Sequence, residues 1–159
     1  MDRRTFLKTA AIGTIATGIT ASVASAERFF PVKVDQTLFT GINRIKDPAQ
    51  KTPLEKSHAP VIAAPTSVKA GELFTVEVSV GENIHVMGPN HWIESIELTI
   101  GNEPVGRADL QPKGYMKPKV TFTVALPKEV APSGKATLVA FQRCNLHGLW
   151  ESSVDISVI

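Results

Sequence analysis

From residue 61 onward the chain alternates apolar and polar side chains, and glycine and proline interrupt it at roughly ten-residue spacing. That rhythm leaves little besides a β-sandwich. In 73–80 the side chains Val76, Val78 and Val80 share one face; in 92–100 Ile96, Leu98 and Ile100 do; in 119–126 Val120, Phe122, Val124 and Leu126 do. Residues 136–141 form a more continuous apolar run, as expected of a central strand, and 150–159 alternates again. With a strand at 61–68 and a weaker one at 105–110, about seven strands are expected, an all-β, immunoglobulin-like antiparallel sandwich. Turns fall at Ala70-Gly71, Gly81-Glu82-Asn83, Gly101-Asn102-Glu103-Pro104 and Pro132-Ser133-Gly134. No long amphipathic helix, repeat or low-complexity tract competes with this reading.

Ahead of the strands the sequence changes character. Arg3-Arg4-Thr5-Phe6-Leu7-Lys8 is a twin-arginine pattern, followed by a weakly apolar stretch that ends in Ala24-Ser25-Ala26. Residues 1–26 read as an export leader for a folded protein, which places the mature chain in the periplasm or another extracytoplasmic space. A retained membrane anchor is the alternative, but glycines and threonines make the stretch less hydrophobic than a span of about 20 residues requires. The leader holds Arg3, Arg4 and Lys8 against Asp2, so it carries the whole +2 formal charge of the chain. The remainder is near neutral and has no global basic field for nucleic acid. Residues 27–57, with Pro31, Pro48 and Pro53, read as an extended arm lying against the domain, with Phe29, Phe30 and Phe39 as candidate anchors.

All four histidines and the only cysteine fall in three short motifs. They are Ser57-His58-Ala59-Pro60, then His85-Val86-Met87-Gly88-Pro89-Asn90-His91, then Cys144-Asn145-Leu146-His147. One cysteine excludes an internal disulfide and a four-cysteine metal site within the chain. The Cys-x-x-His spacing lets a tight turn present both side chains to one ion and aim the N–H groups of Leu146 and His147 at the sulfur. All three motifs are expected in loops near strand ends. Nitrogen and thiolate donors fit a transition metal, not magnesium or calcium. A structural zinc site needs four donors and leaves one histidine unexplained. A blue-copper carrier of the cupredoxin kind needs two histidines, a cysteine and an axial methionine, and no methionine follows His147. Four nitrogens with an axial sulfur suit five-coordinate iron with one position open.

The strings His85-Val-Met-Gly-Pro-Asn-His91-Trp-Ile-Glu-Ser-Ile-Glu-Leu98 and Cys144-Asn-Leu-His-Gly-Leu-Trp-Glu151 resemble superoxide reductases of the neelaredoxin and desulfoferrodoxin type. Residues 54–62 resemble that family's first ligand loop. The likeness spans roughly 54–159, which marks 58–159 as the iron-binding sandwich. The resemblance implies mononuclear iron held by His58, His85, His91 and His147, with Cys144 axial. It implies one-electron reduction of superoxide, with two protons, to hydrogen peroxide. It also implies an external electron donor, rubredoxin-like or another small redox protein, and is consistent with a homo-oligomer. In the family, Glu and Lys directly precede the first histidine, as a cap on ferric iron and an anion guide. Here Ser57 intervenes, so Glu55 and Lys56 each stand one residue further away. Lys56 needs only approximate placement to steer an anion, whereas Glu55 needs close geometry to ligate.

Overall fold

The computed structural model describes residues 35–159. The proposed leader and the pair Phe29 and Phe30 lie outside the described residues. Among the described residues no helix is long and apolar enough to cross a membrane.

In chain order, the elements are β1 (Ile42–Asn43), α1 (Pro53–His58), β2 (Pro60–Ala63), β3 (Ser67–Val68), β4 (Leu73–Val80), β5 (Ile93–Ile100), β6 (Glu103–Asp109), β7 (Lys119–Ala125), β8 (Lys135–Cys144) and β9 (Gly148–Val158). Short 3-10 turns occupy Gln36–Phe39 and Lys128–Val130. One sheet runs β1-β9-β8-β5-β6, with β3 also on β9; the other runs β2-β4-β7. The long pairings are antiparallel, as expected. The two-residue strands β1 and β3 pair parallel to β9, so the larger sheet is mixed.

The core lies between the sheets, where the alternation placed it. Val76, Val78 and Val80 of the small sheet have no exposed surface, nor have Ile93, Ile96, Leu98, Leu138 and Ala140 of the large one. Each large apolar side chain so buried contributes about 1.5–3 kcal/mol relative to exposure. β8 is central, between β5 and β9, and its buried row Ala136, Leu138, Ala140, Gln142 and Cys144 leads from the core to the metal motif.

Two expectations need correction. The strand read at 61–68 is two strands in different sheets, because Ala64-Pro65-Thr66 lies between them and Pro65 has no N–H for a ladder. The segment 35–57 is not uniformly extended. Thr52 caps α1 and Glu55 closes a capping box, with Pro53 at the first helical position. Ala59, before Pro60, is already extended, which ends the helix at His58. Phe39 is partly exposed and is not among the side chains packed on the core; Asn43 ties this segment down, donating to the carbonyls of Leu38 and Leu149, both at 2.9 Å.

Candidate metal centre

Three connections at one end of the sandwich carry the five donors. His58 is the last residue of α1, a helix end where a loop had been expected. His85 and His91 lie in the link from β4 to β5, shaped by His85 N–H bonded to Val80 O and Gly88 N–H bonded to His91 O. Met87 fills the inside of that link, buried, its sulfur accepting the Ile93 N–H at 3.4 Å. Cys144 ends β8, and His147 precedes Gly148, the first residue of β9.

The donor atoms of His58, His85, His91, His147 and Cys144 all lie within 4.8 Å of one another. The nitrogens follow a ring. His58 Nε2 is 3.1 Å from His85 Nε2, which is 3.0 Å from His91 Nε2, which is 3.0 Å from His147 Nδ1. Neighbouring imidazoles, including His147 and His58, meet edge to face at 68–81°. The opposed rings of His58 and His91 are near parallel at 25°. A square with 3.0 Å edges has its centre about 2.1 Å from each corner, a metal–imidazole bond length. The sulfur of Cys144 lies 3.8 Å from His85 Nε2 and 3.5 Å from His147 Nδ1.

The protonation pattern fits a cation at that centre. His58 Nδ1 lies 2.9 Å from Leu54 O, and His85 Nδ1 bonds to Val86 O. A carbonyl can only accept, so both Nδ1 atoms carry the hydrogen and both Nε2 atoms present bare lone pairs to the middle. Bare nitrogens 3.0–3.1 Å apart repel unless something positive lies between them. Burial holds His58 down to about 3 and His85 to about 4, with neighbouring imidazoles adding to the shift. Burial lowers His91 and His147 as well. All four are therefore neutral at pH 7 and ready to ligate. Burial pushes the Cys144 thiol up, while the N–H groups of Leu146 and His147 favour its thiolate, the contact the Cys-x-x-His turn suggested. The donor set and its spacing fit one iron ion.

Several supporting residues were not singled out from sequence. Gln142, fully buried, donates to His58 O at 2.9 Å, and Trp150 Nε1 donates to His147 O at 2.8 Å. The Trp150 ring also lies 5.5 Å from that of His58. Asn145 staples two ligand loops together, accepting the Trp92 N–H and donating to Asn90 O. Gln142 had a signal, a polar residue on the buried parity of β8; Asn145 and Trp150 sit inside the cysteine motif.

Glu55 and Lys56 part company. Glu55 is buried, and both its oxygens are engaged, one by Lys46 N–H and the other by Thr52 N–H and Oγ. It is not among the converging donors. Those N–H bonds hold its carboxyl below the ordinary 4.5. Its contribution to stability is therefore present above that value and is lost as pH falls through the lowered one. Glu55→Gln should lower the chemical-denaturation midpoint at neutral pH, with the gap from the parent closing in acid; an equal gap at both would show that the charge is irrelevant. Lys56 is exposed and enters no ion pair among the described residues.

The Desulfoferrodoxin family model matches residues 50–153. A Methanocaldococcus jannaschii protein is 40 % identical over 120 residues, covering 76 % of this chain and 97 % of the relative. The superoxide reductase of Pyrococcus horikoshii is 36 % identical over 110 residues, covering 64 % of this chain and 88 % of its own. Among solved structures, the superoxide reductase (neelaredoxin) of Ignicoccus hospitalis superposes with a TM-score of 0.62 at 38 % identity, over 80 % of this chain and all of that one. On the strength of that match, the fold and the donor cluster, this chain belongs to the desulfoferrodoxin family.

Proposed function

We propose that this protein is an exported non-haem iron superoxide reductase. The observation that carries the reading is the ring of four imidazole nitrogens with one thiolate, five donors within 4.8 Å, in a chain of the desulfoferrodoxin family. Bound there, iron supplies a ferrous–ferric couple for one-electron reduction of superoxide, with two protons, to hydrogen peroxide. His58, His85, His91, His147 and Cys144 would hold the ion. The Cys144 thiolate would donate electron density to the bound iron. The N–H groups of Leu146 and His147 moderate that donation. Lys56, two residues from His58, adds a positive field that draws the superoxide anion toward the site. Glu55 keeps its place in the capping box and fixes the helix that presents His58. With one cysteine, the chain has no second thiolate centre to store the electron, so a separate small redox protein supplies it. The twin-arginine pattern at Arg3-Arg4 supports export of the folded protein from the cytoplasm.

Metal analysis of natively loaded protein, with an oxidised-minus-reduced visible spectrum, tests the reading. Iron and a thiolate-to-ferric absorption band are expected, the band appearing as superoxide oxidises the ferrous protein and bleaching when a reductant is added, with peroxide formed and no oxygen evolved. Zinc or copper in the native protein would overturn it. Lys56→Ala should slow superoxide consumption several-fold at low salt and flatten its ionic-strength dependence. An unchanged rate and salt slope would remove Lys56 from the mechanism.

A further inference from the structure

We propose that Ser57, the residue that intervenes between Glu55-Lys56 and His58, is a positioning residue for the His58 imidazole. The inference rests on the metal-site reading above.

His58 is delivered to the centre by the last turn of α1. In that turn Ser57 Oγ lies 3.0 Å from Pro53 O, 3.1 Å from Leu54 O and 2.8 Å from His58 Nδ1. Carbonyls only accept, so the single hydroxyl hydrogen goes to Pro53 O or Leu54 O. The Ser57 oxygen keeps its lone pairs for the imidazole. Nδ1 has a hydrogen to share with them, since it also sits 2.9 Å from Leu54 O. The outer N–H of His58 therefore has two acceptors, a carbonyl and a hydroxyl, where that of His85 has the carbonyl of Val86. Outer acceptors fix a ligand's tautomer and ring orientation and raise its basicity.

A hydroxyl that donates to a carbonyl becomes a better acceptor, because the first bond polarises the second. The relay from His58 Nδ1–H through Ser57 to a helix carbonyl thus pushes electron density toward Nε2, the nitrogen 3.1 Å from His85 Nε2. The His58 backbone is fixed separately, by Gln142 Nε2 donating to its carbonyl at 2.9 Å. Ser57 has no comparable task in the fold. The Thr52–Glu55 capping box opens α1, and Ala59 N–H on Glu55 O closes it. The Ser57 side chain is half-buried, and a serine bonded back to its own helix carbonyls does not stabilise the helix; alanine is the better helix former. The hydroxyl serves the ring beside it.

The test is Co²⁺ uptake by the metal-free full chain, read by cobalt–thiolate absorption in competition with a chelator, together with the denaturation midpoint of the metal-free protein. Ser57→Ala should weaken Co²⁺ binding by about 10-fold. Its metal-free midpoint should stay level or rise, since alanine favours the helix. A loss of affinity without a loss of stability separates positioning from a structural role. Ser57→Thr keeps the hydroxyl and should bring affinity back to within about threefold of the parent. A Ser57→Ala affinity within about twofold of the parent overturns the inference. So does an equal loss in Ser57→Thr, or a metal-free midpoint that falls along with the affinity. Co²⁺ performs no superoxide chemistry, so these outcomes leave the function proposed above standing. A parent chain that takes up no Co²⁺ overturns both.

Discussion

Replacing Cys144 with serine should abolish the thiolate-to-ferric band of the iron-loaded protein. It should also cut metal affinity by more than the roughly 10–100-fold that outer-shell changes cost. Cys144 has no exposed surface, so no water can take the vacated position cheaply. A serine hydroxyl is a shorter, harder donor and does not ionise near neutral pH. The pH dependence of metal binding should change too. Burial keeps the thiol protonated in the metal-free chain, so binding must expel that proton, and apparent affinity should rise about tenfold per pH unit below the thiol pKa. His58 and His85, held at about 3 and about 4, and His91 and His147, lowered from the ordinary 6.5, are neutral above pH 7, so the slope between pH 7 and 8 belongs to the thiol. Chelator competition at several pH values measures it. A parent with no slope, or a serine variant with the same slope, would show that the thiol is not the group displaced.

The second large effect is expected at Gly81, which contributes no ligand. At φ +82° an added Cβ would stand 2.5 Å from Asn83 O and 2.6 Å from Ser57 O. Both obstacles are backbone, one a single residue before His58 and the other two before His85. Gly81→Ala should destabilise the metal-free protein by ~3 kcal/mol, combining left-handed strain with overpacking. It should also weaken metal binding, because two ligand-bearing segments are pushed apart. Gly71→Ala is the control. Its φ is +78° but nothing lies within 4 Å of the new Cβ, so only backbone strain of about 1–2 kcal/mol should appear, with metal affinity unchanged. Denaturation curves and Co²⁺ titrations of the pair separate the two contributions. Equal losses in both variants would mean that close packing at Gly81 adds nothing.

Strands β4, β5, β7 and β9 were legible because period-two alternation is a local property that needs one partner face and no knowledge of which. Residues 73–80 read as a strand and are one, with the same three valines buried. The helix α1 was overlooked although its signal was present: Thr52-Pro53-Leu54-Glu55 is a capping box with proline at the first position. At six residues α1 is too short to show a period, so only its cap announces it. Asn43 had no signal, since its partners Leu38, His147 and Leu149 are distant or accidental neighbours in sequence. Glu55 shows the opposite risk. It stands where a ligand loop suggests a metal cap, and the fold engages both its oxygens in backbone N–H bonds.

The sequence alone determined the kind of chemistry available: a single thiol, four imidazoles and no other soft donor cluster, set between alternating strands. Those are properties of residue type and short-range spacing, which require no folding to read. Tertiary structure decided which nitrogen of each ring faces the centre, that His147 alone of the four turns Nδ1 inward, and that Leu38 packs against the neighbouring Gly148. Ring orientation is set by the carbonyl that packing delivers to the far nitrogen, Leu54 O for His58 and Val86 O for His85, and Asn43 reaches the carbonyls of His147 and Leu149 from more than a hundred residues away.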